Sequence, residues 1–165
     1  MSSSKPAGAD PATYGRWRDE ARSVLSALPR YLGTRVRSTR EVEDYLRRRG
    51  VPPKQASRAV ADCQARGLLD DRACARLWAD HWARSGYAAS AIRLKLAAKG
   101  LPDAAIDEAT RAYAEPAEEE ARARLVASAA RRRGARQPGR LMRALAARGF
   151  EADVIERVVG ETLPS

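Results

Sequence analysis

The chain has 165 residues, a formal net charge of +10, and 44% hydrophobic and 32% charged positions. That length suits one elongated array or two small domains, and its wealth of Ala, Arg, Leu and Glu without alternating Val, Ile, Thr or Tyr argues against a β-rich fold. No run approaches the ~20 apolar residues that cross a bilayer, the first residues lack the apolar core of a signal peptide, and two cysteines with one histidine support neither a disulfide framework nor a zinc site. The expected product is all-α and cytoplasmic, with no cofactor and no metal, and both cysteines serve as core thiols.

Residues 1–13 are mostly Ser, Ala, Gly and Pro and are expected to form a disordered tail. From Tyr14 to Leu32 the apolar positions Tyr14, Trp17, Ala21, Val24, Leu25 and Leu28 recur every three or four residues, which predicts an amphipathic helix that Pro29 ends or kinks. Ser38-Thr39-Arg40-Glu41 reads as a capping box opening a helix to Arg49. A third helix is expected from about Pro53 to Arg66, closing at Gly67.

Leu69-Asp70-Asp71 offers an N-cap and a negative first turn to a helix over about 71–84. Its apolar face is read as Cys74, Leu77, Trp78, His81 and Trp82, with Arg76–Asp80 and Asp80–Arg84 pairing at i,i+4 on the solvated side. Helices over about 88–99 and 103–113 follow. After a break at Tyr113-Ala114-Glu115 another begins near Pro116, with Glu118, Glu119 and Glu120 at its start and Arg131, Arg132 and Arg133 at its end, an order that complements the helix dipole. Gly134 and Gln137-Pro138-Gly139 separate it from a final pair over about 140–148 and 152–159.

One phrase is written three times in this succession. Val42-x3-Leu46-x2-Arg49-Gly50-Val51, Ile92-x3-Leu96-x2-Lys99-Gly100-Leu101 and Leu141-x3-Leu145-x2-Arg148-Gly149-Phe150 place their glycines 50 and then 49 residues apart. A second apolar stripe follows each glycine, at Ala56 and Ala59, Ile106 and Ala109, and Ile155 and Val158. Each copy therefore reads helix, glycine turn, helix, and a fixed period of this size means tandem units that bury their apolar faces on neighbours. The reading is an elongated array of three three-helix units, about nine helices in all, spanning 14–66, 67–113 and 114–165. Such a chain presents surfaces for a large partner rather than a catalytic pocket.

The positive charge is uneven. Residues 14–66 carry thirteen basic and six acidic side chains, whereas 67–113 carry seven and six, and 114–165 carry ten and eight. Arg35, Arg37, Arg40, Arg47, Arg48, Arg49, Lys54 and Arg58 cluster in the first unit and could meet phosphate or an acidic protein surface. Any single arginine here reads first as solvated surface; the cluster is what biases encounter with an anion. The first pair also has the outline of a helix-turn-helix, with Lys54, Gln55, Ser57 and Arg58 where base-reading residues would lie. The other copies put Ala104, Ala105, Asp107 and Glu108, then Asp153, Val154, Glu156 and Arg157, at those positions. The shape repeats without the chemistry, so it is read as a packing solution.

His81, without a second histidine or a suitably spaced cysteine, is read as a partly buried structural residue, and Trp17, Trp78 and Trp82 as core anchors. Asp70 and Asp71 fit capping better than acid/base work. No Gly-rich phosphate loop or nucleophile motif is present, and the chain is not expected to be an enzyme.

Gly67-Leu68-Leu69-Asp70-Asp71, Ala75, Gly86, Ile92-Arg93, Leu96 and Lys99-Gly100-Leu101 resemble the central signature of the RecX family of recombination regulators. Ser38 to Gly50 resembles that family's upstream helix, and the likeness covers about residues 22–160. Relatives usually carry an aromatic residue where Cys74 stands, a volume that Trp78 and Trp82 could offset. The resemblance implies a non-enzymatic protein of three-helix units that binds the RecA recombinase filament on single-stranded DNA and lowers its growth, ATPase, strand-exchange and coprotease activities. Partner-contact residues consistent with it are Arg47, Arg48, Arg49, Lys54 and Arg58, together with Arg93, Lys95 and Lys99, in a monomer with single-stranded DNA phosphate as a secondary partner. The rival reading is a general basic helical protein that binds nucleic acid directly.

Overall fold

The computed structural model describes residues 11–162, and every regular element among them is helical. In chain order these are α1 (Pro11–Leu32), α2 (Thr39–Arg48), α3 (Pro53–Ala65), α4 (Asp71–Arg84), α5 (Ala89–Ala98), α6 (Asp103–Thr110), α7 (Pro116–Arg132), α8 (Pro138–Ala146) and α9 (Ala152–Thr162), with a single 3-10 turn at Ala112–Ala114. Helix α1 starts three residues before the expected Tyr14 and continues through Pro29. The rest of the expected tail and the Trp17 side chain lie outside the described residues.

Local chemistry explains the boundaries. At α2 the Ser38 Oγ accepts from the Glu41 N–H at 3.1 Å while the Glu41 carboxylate accepts from the Ser38 N–H at 2.8 Å, so the capping box forms as expected. The repeated phrase has one physical meaning in all three copies. Gly50, Gly100 and Gly149 hold φ of 74°, 71° and 85°, a left-handed conformation that costs glycine no Cβ clash. The residue after each glycine donates back into the last turn, Val51 to Leu46 at 3.0 Å, Leu101 to Leu96 at 3.3 Å and Phe150 to Leu145 at 3.4 Å. Leu46, Leu96 and Leu145 are fully buried, and Val51, Leu101 and Phe150 nearly so. Each copy is thus a Schellman cap whose hydrophobic contact joins two helices of one core.

The chain divides into two compact units, one ending at Asp70 and the other beginning at Asp71. In the first, Ala21 and Leu28 of α1, Val42 and Leu46 of α2, and Val60 and Cys63 of α3 share one cluster. The second unit contains two clusters. One joins Cys74 and Ala79 of α4 to Ile92, Leu96 and Ile106, and the other joins Ala123 and Ala127 of α7 to Leu141, Leu145, Ile155 and Val158, with Ala88 from the start of α5.

Helix α4 does not bury the face its large residues suggested. Cys74, Ala75, Ala79 and Ala83 are inward, Leu77 is 52% exposed, His81 is exposed, and Trp78 and Trp82 pack only partly against the cluster. Small alanines let α4 approach α5 and α6 closely, which leaves the wide indoles to cover the rim. Arg76 reaches instead across to Glu108 of α6 at 3.4 Å and Asp80 accepts the Tyr113 hydroxyl, so neither expected i,i+4 pair, Arg76–Asp80 or Asp80–Arg84, is made among the described residues.

Candidate functional site

In the first unit, α2 and α3 display the predicted cations. Arg47, Arg48, Arg49, Lys54 and Arg58 are all exposed. Arg47 pairs with Asp44 at 2.8 Å, but with 76% of its side chain in solvent the pair adds little to stability. An aromatic platform lies behind this surface. Tyr31 of α1 and Tyr45 of α2 stack with centroids 3.9 Å apart, the Arg37 guanidinium lies 3.8 Å from the Tyr31 ring, and that of Arg49 lies 5.4 Å from the Tyr45 ring. Such contacts contribute about 0.5–1 kcal/mol each at exposed sites and hold the cations in place. The platform was missed in the sequence, where only the i,i+4 spacing of Tyr45 and Arg49 hinted at it.

The second unit separates its three predicted cations. Arg93 is committed to α6, pairing with Asp107 at 2.6 Å and donating to the Thr110 Oγ1 at 3.1 Å. Two residues on, a rotation of about 200° around the helix carries Lys95 to a different face. There the Lys95 Nζ stands 4.3 Å from the Tyr87 ring and 5.5 Å from Trp82, and the Lys99 Nζ stands 4.4 Å from Trp78. Arg148, from the third repeated phrase, reaches the same Tyr87 ring at 4.8 Å. Trp78 and Trp82 lie 5.3 Å apart, and His81 meets Trp78 edge-on at 5.6 Å. His81 therefore sits on the rim of an aromatic and cationic surface rather than inside the core.

Deeper in this unit Tyr113 donates to Asp80, and burial together with that bond pushes its phenol up to about 12. Arg122 donates to the Tyr113 carbonyl, and burial lowers its guanidinium from its ordinary value against the raising effect of Glu119 and Glu118. Burial also raises the Cys63 thiol. No group of three or more His, Cys, Asp or Glu side chains among the described residues is arranged to hold a metal ion. No helix among them is long and apolar enough to cross a membrane. What these surfaces supply is aromatic-backed positive charge, which is chemistry for binding.

Comparison with known proteins assigns the fold to one family. The chain is 32% identical over 152 residues to the regulatory protein RecX of Streptomyces lividans, an alignment covering 88% of this chain and 80% of that protein. The chain belongs to the RecX family. Regulatory protein RecX of Thermobifida fusca is 33% identical over 159 residues, covering 91% and 80%, and that of Pseudomonas fluorescens is 31% identical over 140 residues, covering 84% and 88%. The first three-helix domain of RecX matches residues 29–63 and the second matches residues 70–109. The crystal structure of RecX from Lactobacillus salivarius superposes with a TM-score of 0.72 at 21% identity, covering 87% of this chain and 97% of that one. A second RecX crystal structure gives a TM-score of 0.70 at 21% identity over 94% and 80% of the two chains. The RecX fold is therefore shared where sequence identity has become low.

Proposed function

We propose that this chain is a negative regulator of the RecA recombinase, binding the RecA filament on single-stranded DNA and inhibiting its growth, ATPase and strand exchange. It would act in the cytoplasm as a monomer without catalysis of its own, within the control of DNA repair, recombination and the SOS response. The observation that carries this reading is the similarity to regulatory RecX proteins, which covers 88% and 84% of this chain for the Streptomyces lividans and Pseudomonas fluorescens proteins. The surfaces agree with it in kind. Two compact units, each with aromatic-backed cations, suit weak contacts to a repeating polymer, where linked sites gain from high local concentration. Partner contacts are assigned to Arg47, Arg48, Arg49, Lys54 and Arg58 in the first unit and to Lys95 and Lys99 in the second. Arg93 belongs with them as the residue that steadies α5 on α6.

Adding the purified chain to RecA on single-stranded DNA tests the reading directly. ATP hydrolysis should fall and filaments shorten at amounts well below one chain per RecA protomer. No effect at those ratios would overturn the proposal. Tight, steeply salt-dependent binding to bare DNA without any effect on RecA would instead identify a general nucleic-acid-binding protein.

A further inference from the structure

Within the second unit, a groove of about 1000 Å3 lies among the C-terminal end of α4, the body of α7 and the end of α8. Arg84, Arg122, Arg133 and Arg148 line it, and none of its lining residues is a carboxylate. Leu125, 70% exposed, and Val126 belong to its apolar wall, which the alanines of α7 and α8 extend. Arg84 and Arg133 are exposed and form no ion pair with any described residue.

The other two arginines are held. Arg148 donates to the Ser85 carbonyl and lies against Tyr87. Arg122 is only 8% exposed, and while its Nη2 donates to the Tyr113 carbonyl, its Nε and Nη1 have no hydrogen-bond partner among the described residues. Those two atoms are closed to solvent and Glu119 and Glu118 lie near enough to act on the guanidinium, so Arg122 contributes charge behind the groove wall while Arg84 and Arg133 are the open donors. A large, open groove whose lining carries arginines and no carboxylate, with an exposed leucine on its wall, is built to receive something both acidic and apolar.

We propose that this groove docks an acidic segment of a partner protein, its Asp or Glu side chains meeting the exposed Arg84 and Arg133 in the field of Arg122 and Arg148, and an apolar side chain resting on Leu125 and Val126. The aliphatic wall favours a peptide over a nucleic-acid strand. Of the tyrosine and tryptophan rings on its wall, Tyr87 already has Lys95 and Arg148 against it and Trp82 has Lys95 and Trp78, so neither offers a bare platform for a base.

The test titrates the full chain with a fluorescein-labelled peptide of Asp-Glu-Leu-Glu blocks and, separately, with labelled oligothymidylate, followed by anisotropy at physiological ionic strength. The Arg84→Glu/Arg133→Glu variant, altered only at exposed positions, should bind the peptide at least about tenfold more weakly with unchanged helicity and Tm, and Leu125→Asp should weaken it as well. The Arg47→Glu/Arg48→Glu/Arg49→Glu variant removes more charge, but from the other unit, and should bind the peptide within about twofold of the parent chain. Equal losses from both charge variants would overturn the proposal by showing attraction to net charge alone. It would equally fail if the peptide did not bind, if the Arg84/Arg133 variant bound it normally, or if oligothymidylate displaced it through those same two arginines.

Discussion

Gly149 closes α8 directly against Ala91 of α5: a Cβ on Gly149 would stand 2.6 Å from the Ala91 Cβ. Around this contact the Ala88 N–H donates to the Arg148 carbonyl at 2.9 Å and the Ser90 Oγ donates to the Gly149 carbonyl at 3.0 Å. The glycine thus serves two purposes, ending its own helix and letting the third triplet seat on the second. Gly149→Ala should destabilise the second unit by ~3 kcal/mol, combining the left-handed backbone penalty with overpacking. Gly134→Ala, with φ of 95° but nothing within 4 Å of the added carbon, should lose only ~1 kcal/mol. Urea denaturation of the two variants measures the difference.

Helix α5 has no cap in its own sequence, because Ala88 stands at its N-cap position. Glu119 of α7 supplies the acceptor instead, its carboxylate receiving the Ala89 N–H at 3.1 Å. Glu119→Ala should cost about 1 kcal/mol, close to the loss from Ser38→Ala, which removes the capping hydroxyl of α2. Glu119→Gln keeps an acceptor and should recover most of the loss. Chemical denaturation of the three variants checks the ordering.

The Tyr113 phenol titrates near 12 rather than 10 because burial and the bond to Asp80 favour its neutral form. That raised value stabilises the fold fully below pH 10, and the contribution disappears as the pH rises through about 12. The chain should therefore lose stability across that alkaline window, and Tyr113→Phe should flatten this part of the profile. Tyrosinate absorbance against pH, with Tm in parallel, gives both readings.

Reversing Arg47, Arg48 and Arg49 to Glu should weaken inhibition of RecA at least about tenfold at moderate salt while helicity stays intact, since all three are exposed. Lys95→Glu with Lys99→Glu should act in the same direction. Arg93→Ala should instead lower Tm through loss of its contacts to Asp107 and Thr110, with a smaller effect on inhibition. RecA ATPase assays paired with thermal melts separate the two behaviours, and an unchanged ATPase in the first variant would move the contact surface elsewhere.

Helix order, the capping box at Ser38, the three glycine caps and the apolar stripes beneath them were all legible in the sequence. These features are local: a cap needs only its own turn, and a stripe needs only the 3.6-residue period. The RecX resemblance was legible for the same reason, since its signature lies in those turns. Which face α4 buries was not, because three alanines and a cysteine outcompete two tryptophans only where neighbouring helices come close enough to touch a small side chain. Nor could spacing reveal that Glu119 caps a helix thirty residues earlier, that Tyr31 and Tyr45 stack beneath the basic cluster, or that Arg93 and Lys95 serve different surfaces. The sequence by itself determined the order of the helices and the glycine caps that end α2, α5 and α8, whereas α1 starts before Tyr14 and α6 stops at Thr110 rather than 113. The tertiary structure decided which charges are spent inside the fold and which stay in solvent, because that depends on distances between residues far apart in the chain.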